Sequence, residues 1–523
     1  MASHWADEVA ENIIAKYPNR KEYTIASGAS PSGILHMGNL REILTPFFVV
    51  KALRDKGKKV RFIFSLDNYD RLRKVSTDIQ TIAPEFYKNI GKPYTMCEDP
   101  FGCHKSYAEH FEQQFLSALD KLGVQLDVIR QTEQYTSGAY VDGVIKAIQN
   151  RKKIYDIQYS FKTQEANEEE RENYYPIEIY CSQCGKDLTT VTGESENGAV
   201  LEYECKCGHH DKIDLRKDFH YKLAWKIDWP MRWAYEGVVF ETGGRDHSSE
   251  GGSYQVSSVI AREIYGVEPP LYRMYDFVKL KGQTKKISSS AGVGDMHPEF
   301  MLKIYAPEVI LWMYNRFLPE KEFELALDSD VLRTYHEYDR MYQKYRDGTA
   351  TDIEKRIMEY SLCGKPANYV PVNASLIASF APIVNFDLNM LTDLLNKCGE
   401  KVTKEQVKDR FECIKFWMQK YCPDEIAKLL EQQNEQFVAT MTDEEKDWVR
   451  TLVKEMKEKD LDTTQMQTLL YEIPKLDGQQ DKQRQKRFFE IVYNLLLGKN
   501  QGPRMYLFLS AVDKNALIHL LDI

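Results

Sequence analysis

The chain has 523 residues, of which 43% are hydrophobic and 28% are charged, a globular composition with length for about three or four domains. Its net charge of -9 argues against a protein that coats nucleic acid without selectivity, although a selective RNA binder with a local basic patch remains compatible with it. The sequence has no charged-then-apolar leader and no run of about 18 apolar residues, so we expect a soluble, cytoplasmic protein with no membrane partner.

The first predicted elements form a strand, a turn, a helix and a second strand. Residues 22–26 alternate in polarity and run into a glycine-rich turn at residues 27–33. Apolar residues then recur at helical spacing over residues 36–56, where Pro46 could bend the helix, and residues 59–66 form an apolar strand. A strand–helix–strand unit of this kind predicts a parallel sheet.

The predicted sheet is interrupted by a long insertion. Residues 97–218 mix helices, an acidic stretch and a cysteine cluster, and strand-like segments return over residues 219–295. We therefore predict an α/β, Rossmann-type parallel-sheet domain with halves at residues 1–96 and 219–295, split by this zinc-containing insertion. The remainder, residues 296–523, is predicted to be all-α.

The turn before the first helix is a candidate phosphate site. Residues 30–39 read SPSGILHMGN and lie at a strand-to-helix junction, where free backbone N–H groups and the helix dipole favour phosphate. His36 can donate to a phosphoryl oxygen, and Gly38 lets a nucleotide lie close to the backbone. Taken alone, the segment is equally compatible with a structural turn and a helix-capping histidine. The predicted ATP-binding residues here are Pro31, Gly33, His36, Gly38 and Asn39.

A second candidate phosphate segment follows the strand predicted at residues 272–280. Residues 285–292 read KKISSSAG, and a lysine with three hydroxyls suits the β- and γ-phosphates of ATP. A cation such as Lys286 would stabilise the charge that builds on departing pyrophosphate. A solvated basic loop is the alternative for this segment alone, but two such segments at the two ends of one split domain favour a nucleotide site.

These segments carry a family resemblance. Residues 36–39 resemble the HIGH motif of class I aminoacyl-tRNA synthetases, and residues 286–290 resemble their KMSKS motif. Longer strings within residues 23–292 are most similar to class I lysyl-tRNA synthetases. These strings are ASGASPSG (26–33), HMGNLRE (36–42), DPFGCHKSYAEHF (99–111), WKIDWPMRW (225–233) and GGRDH (243–247).

Two departures from the general motifs bear on mechanism. Asn39 replaces the second histidine of HIGH; it can donate to a phosphate or ribose but carries no charge. Ser289 replaces the later lysine of KMSKS, which leaves more of the pyrophosphate stabilisation to Lys286, with Lys285 as a second cation. The resemblance implies the following catalytic residues: His36, Asn39, Lys286, Ser288 and Ser289.

A pocket for lysine needs anionic or π-rich groups and a donor for the carboxylate. Asp67 and Asp70 follow the second strand, at the sheet edge where α/β folds bind ligands, although they could also form a solvated turn with Arg71. Each aromatic residue of the pocket could equally pack in the core. The resemblance implies an amino-acid pocket of Gly28, Ser30, Trp225, His247 and Tyr275, to which we add Asp67.

The ten cysteines comprise one cluster of four and six single residues, which fits a reducing compartment and a metal site better than disulfides. Two knuckles, Cys181-x-x-Cys184 and Cys205-x-Cys207, suit a tetrahedral structural Zn²⁺, with four unliganded thiols as the alternative. His209 or His210 could replace a ligand. The position of this site in the insertion suggests that it holds the tRNA acceptor end.

A second group of potential ligands lies near residue 100. It contains Cys97, Cys103, His104 and His110. His104 and His110 do not share a helical face, which argues against a metal site here. The remaining single cysteines are expected to pack as small hydrophobic residues.

The helical region at residues 296–523 includes helices predicted at residues 306–317 and 488–497, with basic spots at residues 482–487 and 499–504. Such a bundle would suit the reading of unstacked anticodon bases, and the resemblance implies an anticodon-binding domain. An interaction or stability domain is the alternative.

The resemblance implies a lysine–tRNA ligase. Such an enzyme activates L-lysine with ATP to lysyl-adenylate, releases pyrophosphate and transfers lysine to the 3′ end of tRNA(Lys), with Mg²⁺ on the phosphates and a structural Zn²⁺. The sequence does not fix the oligomeric state, for which a monomer is the favoured expectation. The alternatives are a class I synthetase for another amino acid, with glutamate the nearest architecture, and a non-catalytic tRNA-binding relative.

Overall fold

A computed structural model describes residues 3–162, 167–282, 296–362, 364–366, 369–426 and 428–523. The chain divides into two compact units. Unit 1 comprises Met1–Leu302, Pro307–Leu325 and Lys344–Gly364, and unit 2 comprises Lys303–Ala306, Ala326–Gln343 and Lys365–Ile523. Among the described residues, no helix combines the length and the apolar character that a bilayer crossing needs.

The strands of the described residues are β1 (Tyr23–Ala29), β2 (Val60–Leu66), β3 (Asp127–Arg130), β4 (Ile177–Ile179), β5 (Thr189–Ser195), β6 (Val200–Cys205), β7 (His210–Asp214), β8 (Tyr221–Leu223), β9 (Val238–Gly244), β10 (Leu271–Tyr275), β11 (Val278–Leu280) and β12 (Phe323–Leu325).

The helices up to residue 315 are α1 (Trp5–Lys16), α2 (Met37–Asp55), α3 (Thr77–Ile82), α4 (Tyr107–Lys121), α5 (Gln131–Thr136), α6 (Val141–Gln149), α7 (Arg151–Ser160), α8 (Glu168–Glu172), α9 (Trp225–Glu236), α10 (Arg245–Ser248), α11 (Ser253–Ile260), α12 (Pro298–Met301) and α13 (Pro307–Asn315). The later helices are α14 (Asp330–Arg346), α15 (Asp352–Ser361), α16 (Ala374–Phe380), α17 (Leu388–Lys397), α18 (Lys404–Tyr421), α19 (Glu435–Val438), α20 (Asp443–Glu458), α21 (Thr463–Glu472), α22 (Lys482–Leu497), α23 (Met505–Ala511) and α24 (Lys514–Leu521). Short 3₁₀ segments lie at Pro84–Asn89, Tyr94–Met96, Glu196–Gly198 and Pro423–Glu425, and a π-helical segment lies at Ala261–Tyr265.

The central sheet of unit 1 has the order β10-β9-β1-β2-β3, and all of its pairings are parallel. The predicted parallel-sheet α/β fold is therefore confirmed, and β1, α2 and β2 form the predicted strand–helix–strand unit. The order reverses between β1 and β9, which makes their carboxyl ends the switch point at which such sheets bind ligands. The edge strand β3, at Asp127–Arg130, lies inside the range that the sequence assigned to the insertion.

Helix α2 packs between the sheet and its neighbours, and most of its residues are buried. Pro46 lies inside it, yet the helix runs without interruption from Met37 to Asp55. Arg41 is 2% exposed and its Nη2 donates to the carbonyl oxygens of Pro319 at 2.6 Å and Lys321 at 2.8 Å. This arginine of the HMGNLRE string therefore has a structural role, since it holds the turn before β12.

Helix α1 begins at a histidine cap. His4 Nδ1 accepts from the backbone N–H of Ala6 at 3.2 Å, and His4 Nε2 lies 3.0 Å from the carbonyl oxygen of Asn315. The neutral ring with its proton on Nε2 satisfies both contacts. Burial lowers the pKa of His4 to about 4, which keeps this neutral form at ordinary pH.

A smaller β-region carries the cysteine cluster. Strands β5, β6 and β7 form an antiparallel sheet, and β4 pairs antiparallel with β8. A tyrosine-rich core that includes Tyr69, Tyr180, Tyr203 and Tyr221 packs beneath both. Helical residues such as Val144, Ile227 and Val256 belong to the same core, so the module packs directly on the helices of unit 1.

Unit 2 is helical in its described residues and includes α16 to α24. The region predicted to be all-α, residues 296–523, is mainly helical but also contains the strand β12, which pairs with β11. Arg410 in α18 is 2% exposed; its Nη1 donates to Asp339 at 2.7 Å and to the carbonyl oxygen of Val372 at 2.8 Å. Its guanidinium lies 5.1 Å from the centre of the Tyr335 ring. A buried charge held in this way fixes the packing of α14 against α18 within the unit.

Candidate active site

An open cleft of about 560 Å³ lies at the carboxyl ends of the central strands in unit 1. Its walls come from the turn after β1, the N-terminus of α2, the segment after β2, and the ends of β9 and β10. The lining residues are Ser30, Ser32, His36, Gly38, Asn39, Asp70, Arg73, Lys74, Ser76, Tyr94, Gly244, Asp246, His247, Tyr275, Asp276, Phe277 and Val278. The cleft therefore occupies the position that the strand order predicts for a ligand.

The N-terminus of α2 is closed by a reciprocal cap. His36 Nδ1 accepts from the backbone N–H of Gly38 at 3.0 Å, and Asn39 Oδ1 accepts from the backbone N–H of His36 at 2.9 Å. Because Nδ1 is an acceptor, the neutral imidazole carries its proton on Nε2. The structure shows the helix cap that the sequence gave as the alternative for His36, and Asn39 takes part in it through its side-chain oxygen. Phosphate binding by the two side chains stays a prediction.

Gly38 is required by the same geometry. A Cβ atom at this position would lie 2.7 Å from His36 Cε1 and 2.8 Å from His36 Nδ1. Any side chain would therefore push the imidazole out of its place. The other two turn residues predicted to bind ATP, Pro31 and Gly33, are buried and do not line the cleft, so they shape the turn from behind.

The second phosphate segment falls outside the described residues, and so do Lys285, Lys286, Ser288 and Ser289. Its described flanks lie at the cleft. Val278 lines the cleft on one side, and on the other side Met296 accepts a hydrogen bond at 2.9 Å from the backbone N–H of Met37, next to His36. Described residues on both sides of this segment therefore lie near the first motif.

The residues predicted for the amino-acid pocket divide between two neighbouring spaces. Ser30, His247 and Tyr275 line the cleft, whereas Gly28, Asp67 and Trp225 line a small cavity of about 30 Å³ beneath it. The two spaces are linked by ring contacts, since the Trp225 and His247 rings lie 6.1 Å apart. Trp225 Nε1 is buried and has no hydrogen-bond partner in the described part of the chain.

Asp67 is held by a long-range ion pair. Arg232 Nη1 lies 2.7 Å from Asp67 Oδ1, and Lys222 lies 2.6 Å from Asp70. Asp228 joins both cations, at 3.4 Å from each. Arg71, which the sequence suggested as a partner of these aspartates, instead pairs with Asp187 at 2.8 Å. Burial raises the pKa of Asp67, whereas the positive charges of Arg232 and Lys222 lower it.

A further buried acid lies on the wall of the small cavity. Glu241 of β9 is 7% exposed and accepts from Trp233 Nε1 at 2.5 Å. Burial raises the pKa of Glu241 to about 7. Sequence reasoning missed this residue, because its position in an apolar strand gave no signal of its proximity to Asp67 and Trp225.

Sequence reasoning also missed two cations on the cleft wall. Arg73 and Lys74 follow β2 and are exposed where they line the cleft. Tyr94, whose hydroxyl bonds to Ser30, lies on the same wall. The only sequence signal for these residues was their position after the carboxyl end of a parallel strand.

The four clustered cysteines have the geometry of a metal site. All four Sγ atoms lie within 4.8 Å of one another, with Cys181 and Cys207 at 3.8 Å and Cys184 and Cys205 at 3.7 Å. The edge of a tetrahedron with Zn–S bonds of about 2.3 Å is about 3.8 Å, so these distances fit Zn²⁺. His209 is not part of the set, since its ring bonds to Ser182 at 3.0 Å.

A second cluster of potential metal ligands lies at the start of α4, although the sequence argued against a metal site here. Asp99, Cys103, His104 and His110 present ligand atoms within 4.8 Å of one another. Cys103 Sγ lies 3.1 Å from His104 Nδ1 and 3.2 Å from His110 Nδ1. His104 precedes the helix, so the test of a shared helical face did not apply, and Asp99 was not considered.

Cys97 does not belong to this second cluster. It is 1% exposed, and its thiol donates to the carbonyl oxygen of Pro93 at 3.3 Å. Asp99 organises the cluster instead: its carboxylate accepts from the backbone N–H groups of Cys103 at 2.9 Å and His104 at 2.8 Å.

Comparison with known proteins agrees with these observations. A family model described as tRNA synthetases class I (K) matches residues 3–364. The lysine–tRNA ligase of Pyrococcus horikoshii is 33% identical over 98% of this chain and 98% of that protein. That of Streptomyces coelicolor is 33% identical over 99% and 97%, and that of Borreliella burgdorferi is 32% identical over 98% and 97%.

A solved structure with a related fold is a glutamate tRNA ligase from Elizabethkingia meningosepticum. It covers 96% of this chain and 99% of its own, with a TM-score of 0.50 and 12% sequence identity. At that identity the likeness concerns the fold alone.

Proposed function

The chain belongs to the class I tRNA synthetase (K) family, and from that premise we propose that it is a lysine–tRNA ligase, which activates L-lysine with ATP and transfers it to the 3′ end of tRNA(Lys). The observation that carries the proposal is the cleft at the β1/β9 switch point. His36, Gly38 and Asn39 form one wall of it, and His247 and Tyr275 form another. Met296, the first described residue after the second motif segment, accepts a hydrogen bond from the backbone N–H of Met37.

The activation step needs no nucleophile from the protein. An oxygen of the lysine carboxylate attacks the α-phosphorus, the bond to the bridging oxygen of the β-phosphate breaks, and pyrophosphate leaves with that electron pair. Catalysis is therefore positioning and electrostatic stabilisation. The ATP is expected to enter with Mg²⁺, which offsets the charge of its phosphate oxygens.

The first motif provides the phosphate donors. With Nδ1 occupied by Gly38, His36 presents Nε2–H, and the N-terminus of α2 adds backbone N–H groups and the positive end of its dipole. The amide of Asn39 is a further donor. Lys286, Ser288 and Ser289 are proposed from the sequence to complete the site on the side of the leaving pyrophosphate.

Selection of lysine is supported by the charge around the small cavity. Three acidic residues, Asp67, Glu236 and Glu241, line this cavity together with one basic residue, Arg232, which pairs with Asp67. An ammonium group brought close to Glu241 would favour its ionised form. A glutamate side chain in the small cavity would need a cation there, but Asp67 and Asp228 already engage Arg232.

In the second step, a hydroxyl of the terminal ribose of tRNA attacks the carbonyl carbon of lysyl-adenylate, and AMP leaves. We propose that Cys181, Cys184, Cys205 and Cys207 hold a structural Zn²⁺ whose module contacts the acceptor end, and that unit 2 contacts the anticodon. A monomer in the cytoplasm is the form we expect, since the reduced cysteines fit that compartment.

The test is ATP–pyrophosphate exchange with each of the twenty amino acids, with tRNA present in every reaction. Exchange with lysine alone is the expected result. Exchange with glutamate alone would instead support the second synthetase, and exchange with none would support a tRNA-binding protein without activity.

A further inference from the structure

Strands β1 and β9 part before their carboxyl ends. Their pairing runs from Thr24 and Val238 to Ala26 and Glu241, and within the described sheet it does not extend to Gly28 or Thr242. The gap that opens is the crevice above which the proposed amino-acid site lies. Glu42, from the second turn of α2, points into this gap and is 9% exposed.

The Glu42 carboxyl group faces three strands. The backbone N–H of Gly28 in β1 stabilises its ionised form, and Thr242 Oγ1 in β9 lies 3.3 Å from the Glu42 carbonyl oxygen and 3.4 Å from Glu42 Oε1. The carboxyl group is also hydrogen-bonded to the hydroxyl of Tyr275 at the end of β10. Two of these three partners, Gly28 and Tyr275, are residues proposed to contact lysine.

Glu42 lines neither the cleft nor the small cavity, so its influence on a substrate must pass through its partners. Burial raises the pKa of Glu42 well above its usual range, and the bonds from Tyr275, Thr242 and Gly28 offset this only in part. Burial therefore favours the protonated form of this side chain. A neutral acid can accept from one group while it donates to another, and a glutamine can do the same.

We propose that Glu42 is a positioning residue that wedges β1 and β9 apart and holds Tyr275, and thereby places the amino-acid contacts of the crevice. The inference rests on the proposed function, because it concerns the binding of lysine. The same helix carries His36 at its N-terminus, so Glu42 also fixes the amino-acid site relative to the phosphate site. A displacement of about 1 Å in such a site can cost about 100-fold in rate.

The experiment compares Glu42→Gln and Glu42→Ala in lysine-dependent ATP–pyrophosphate exchange, with KM measured separately for lysine and ATP and with thermal midpoints measured for each variant. Glu112→Ala is the matched control, since Glu112 is 2% exposed in the same unit and lies outside the cleft wall. Glu42→Ala is expected to raise the lysine KM by about 10-fold or more and the ATP KM by less than about 3-fold, whereas Glu42→Gln restores both.

Three results would overturn the inference. The first is a Glu42→Ala variant whose KM for lysine lies within about twofold of the value for the unmodified protein. Another is Glu42→Gln as impaired as Glu42→Ala, which would require the charge and not the hydrogen bonds. The third is a Glu42→Ala variant that loses lysine affinity and ATP affinity equally and whose thermal midpoint shifts as much as that of Glu112→Ala. A purely structural role of Glu42 would give that result. Failure of the unmodified protein to exchange with lysine would count against the proposed function instead.

Discussion

His36 and Gly38 depend on each other for their positions at the start of α2. The imidazole occupies the space that a Cβ atom at position 38 would take, and its Nδ1 is bound to the backbone N–H of Gly38. The ring is therefore held in one tautomer and in one place, with its remaining N–H as a donor. Preorganised donors of this kind act on developing charge without the cost of reorientation.

Gly38→Ala is expected to displace the His36 ring, because the new Cβ would lie 2.7 Å from Cε1. The kcat/KM for ATP in lysine-dependent exchange should fall by about 100-fold. The control is Gly193→Ala, where the nearest atom to the new Cβ is the Glu202 carboxylate at 3.4 Å. Equal activity of the two variants would contradict the requirement for glycine at position 38.

Lys286→Ala tests the part of the site that the sequence alone supplies. Its proposed contact with pyrophosphate matures in the transition state, so kcat for adenylation should fall by about 100-fold or more while the lysine KM stays near normal. Single-turnover measurement of adenylate formation checks this directly. An effect confined to KM would show that Lys286 only binds ATP.

At the level of single residues, the sequence located the motif side chains but not their partners. Asp67 was predicted to contact the ammonium group of the substrate. It forms an ion pair with Arg232 at 2.7 Å, which links the end of β2 to α9. No local sequence pattern indicates this pair. Glu42 and Glu241 were missed for the same reason. Each lies in an apolar helix or strand, and only the fold brings it to the crevice.

At the level of elements, the cap of α1 predicts a dependence on pH. Burial lowers the pKa of His4 to about 4 from an unfolded value near 6.5, so between these values the unfolded chain binds more protons than the folded one. The free energy of unfolding should therefore fall as pH drops from 6.5 to 4, by up to about 3 kcal/mol.

His4→Asn keeps a capping side chain but removes the titrating group, so its stability should change less over that range. Denaturant unfolding of both proteins at a series of pH values measures the difference. His519→Asn, at an exposed histidine, is the parallel control. A pH profile that is identical in His4→Asn and the unmodified protein would remove His4 as the cause.

The metal clusters predict a measurable zinc content. Cys181→Ser with Cys184→Ser should remove one equivalent of zinc per chain and abolish tRNA charging, because the knuckles lose half of their ligands. Asp99→Ala with His110→Ala tests the second cluster independently. Elemental analysis of the purified variants distinguishes one site from two, and absence of zinc from the unmodified protein would reject both.

For the whole molecule, the sequence predicted the split parallel-sheet domain and the helical region, because β1, α2 and β2 have strong periodicity and the motifs mark both halves. It did not predict β3, because a strand of four residues shows no clear periodicity. It also did not predict how the chain divides into two units, in which residues 303–306 and 326–343 belong to unit 2 and residues 344–364 belong to unit 1. Such boundaries depend on long-range packing, which local sequence does not encode.

The sheet order also has a consequence for synthesis. Thr24 pairs with Val238, and the core beneath the cysteine module includes Val256 and Ile260, so residues that follow the insertion complete both. On the ribosome, β1 therefore keeps one unpaired edge until β9 has been synthesised. An open edge on an apolar strand invites association with other chains. We therefore expect chaperones to bind the nascent chain and protect the edge of β1 until Val238 has emerged from the exit tunnel.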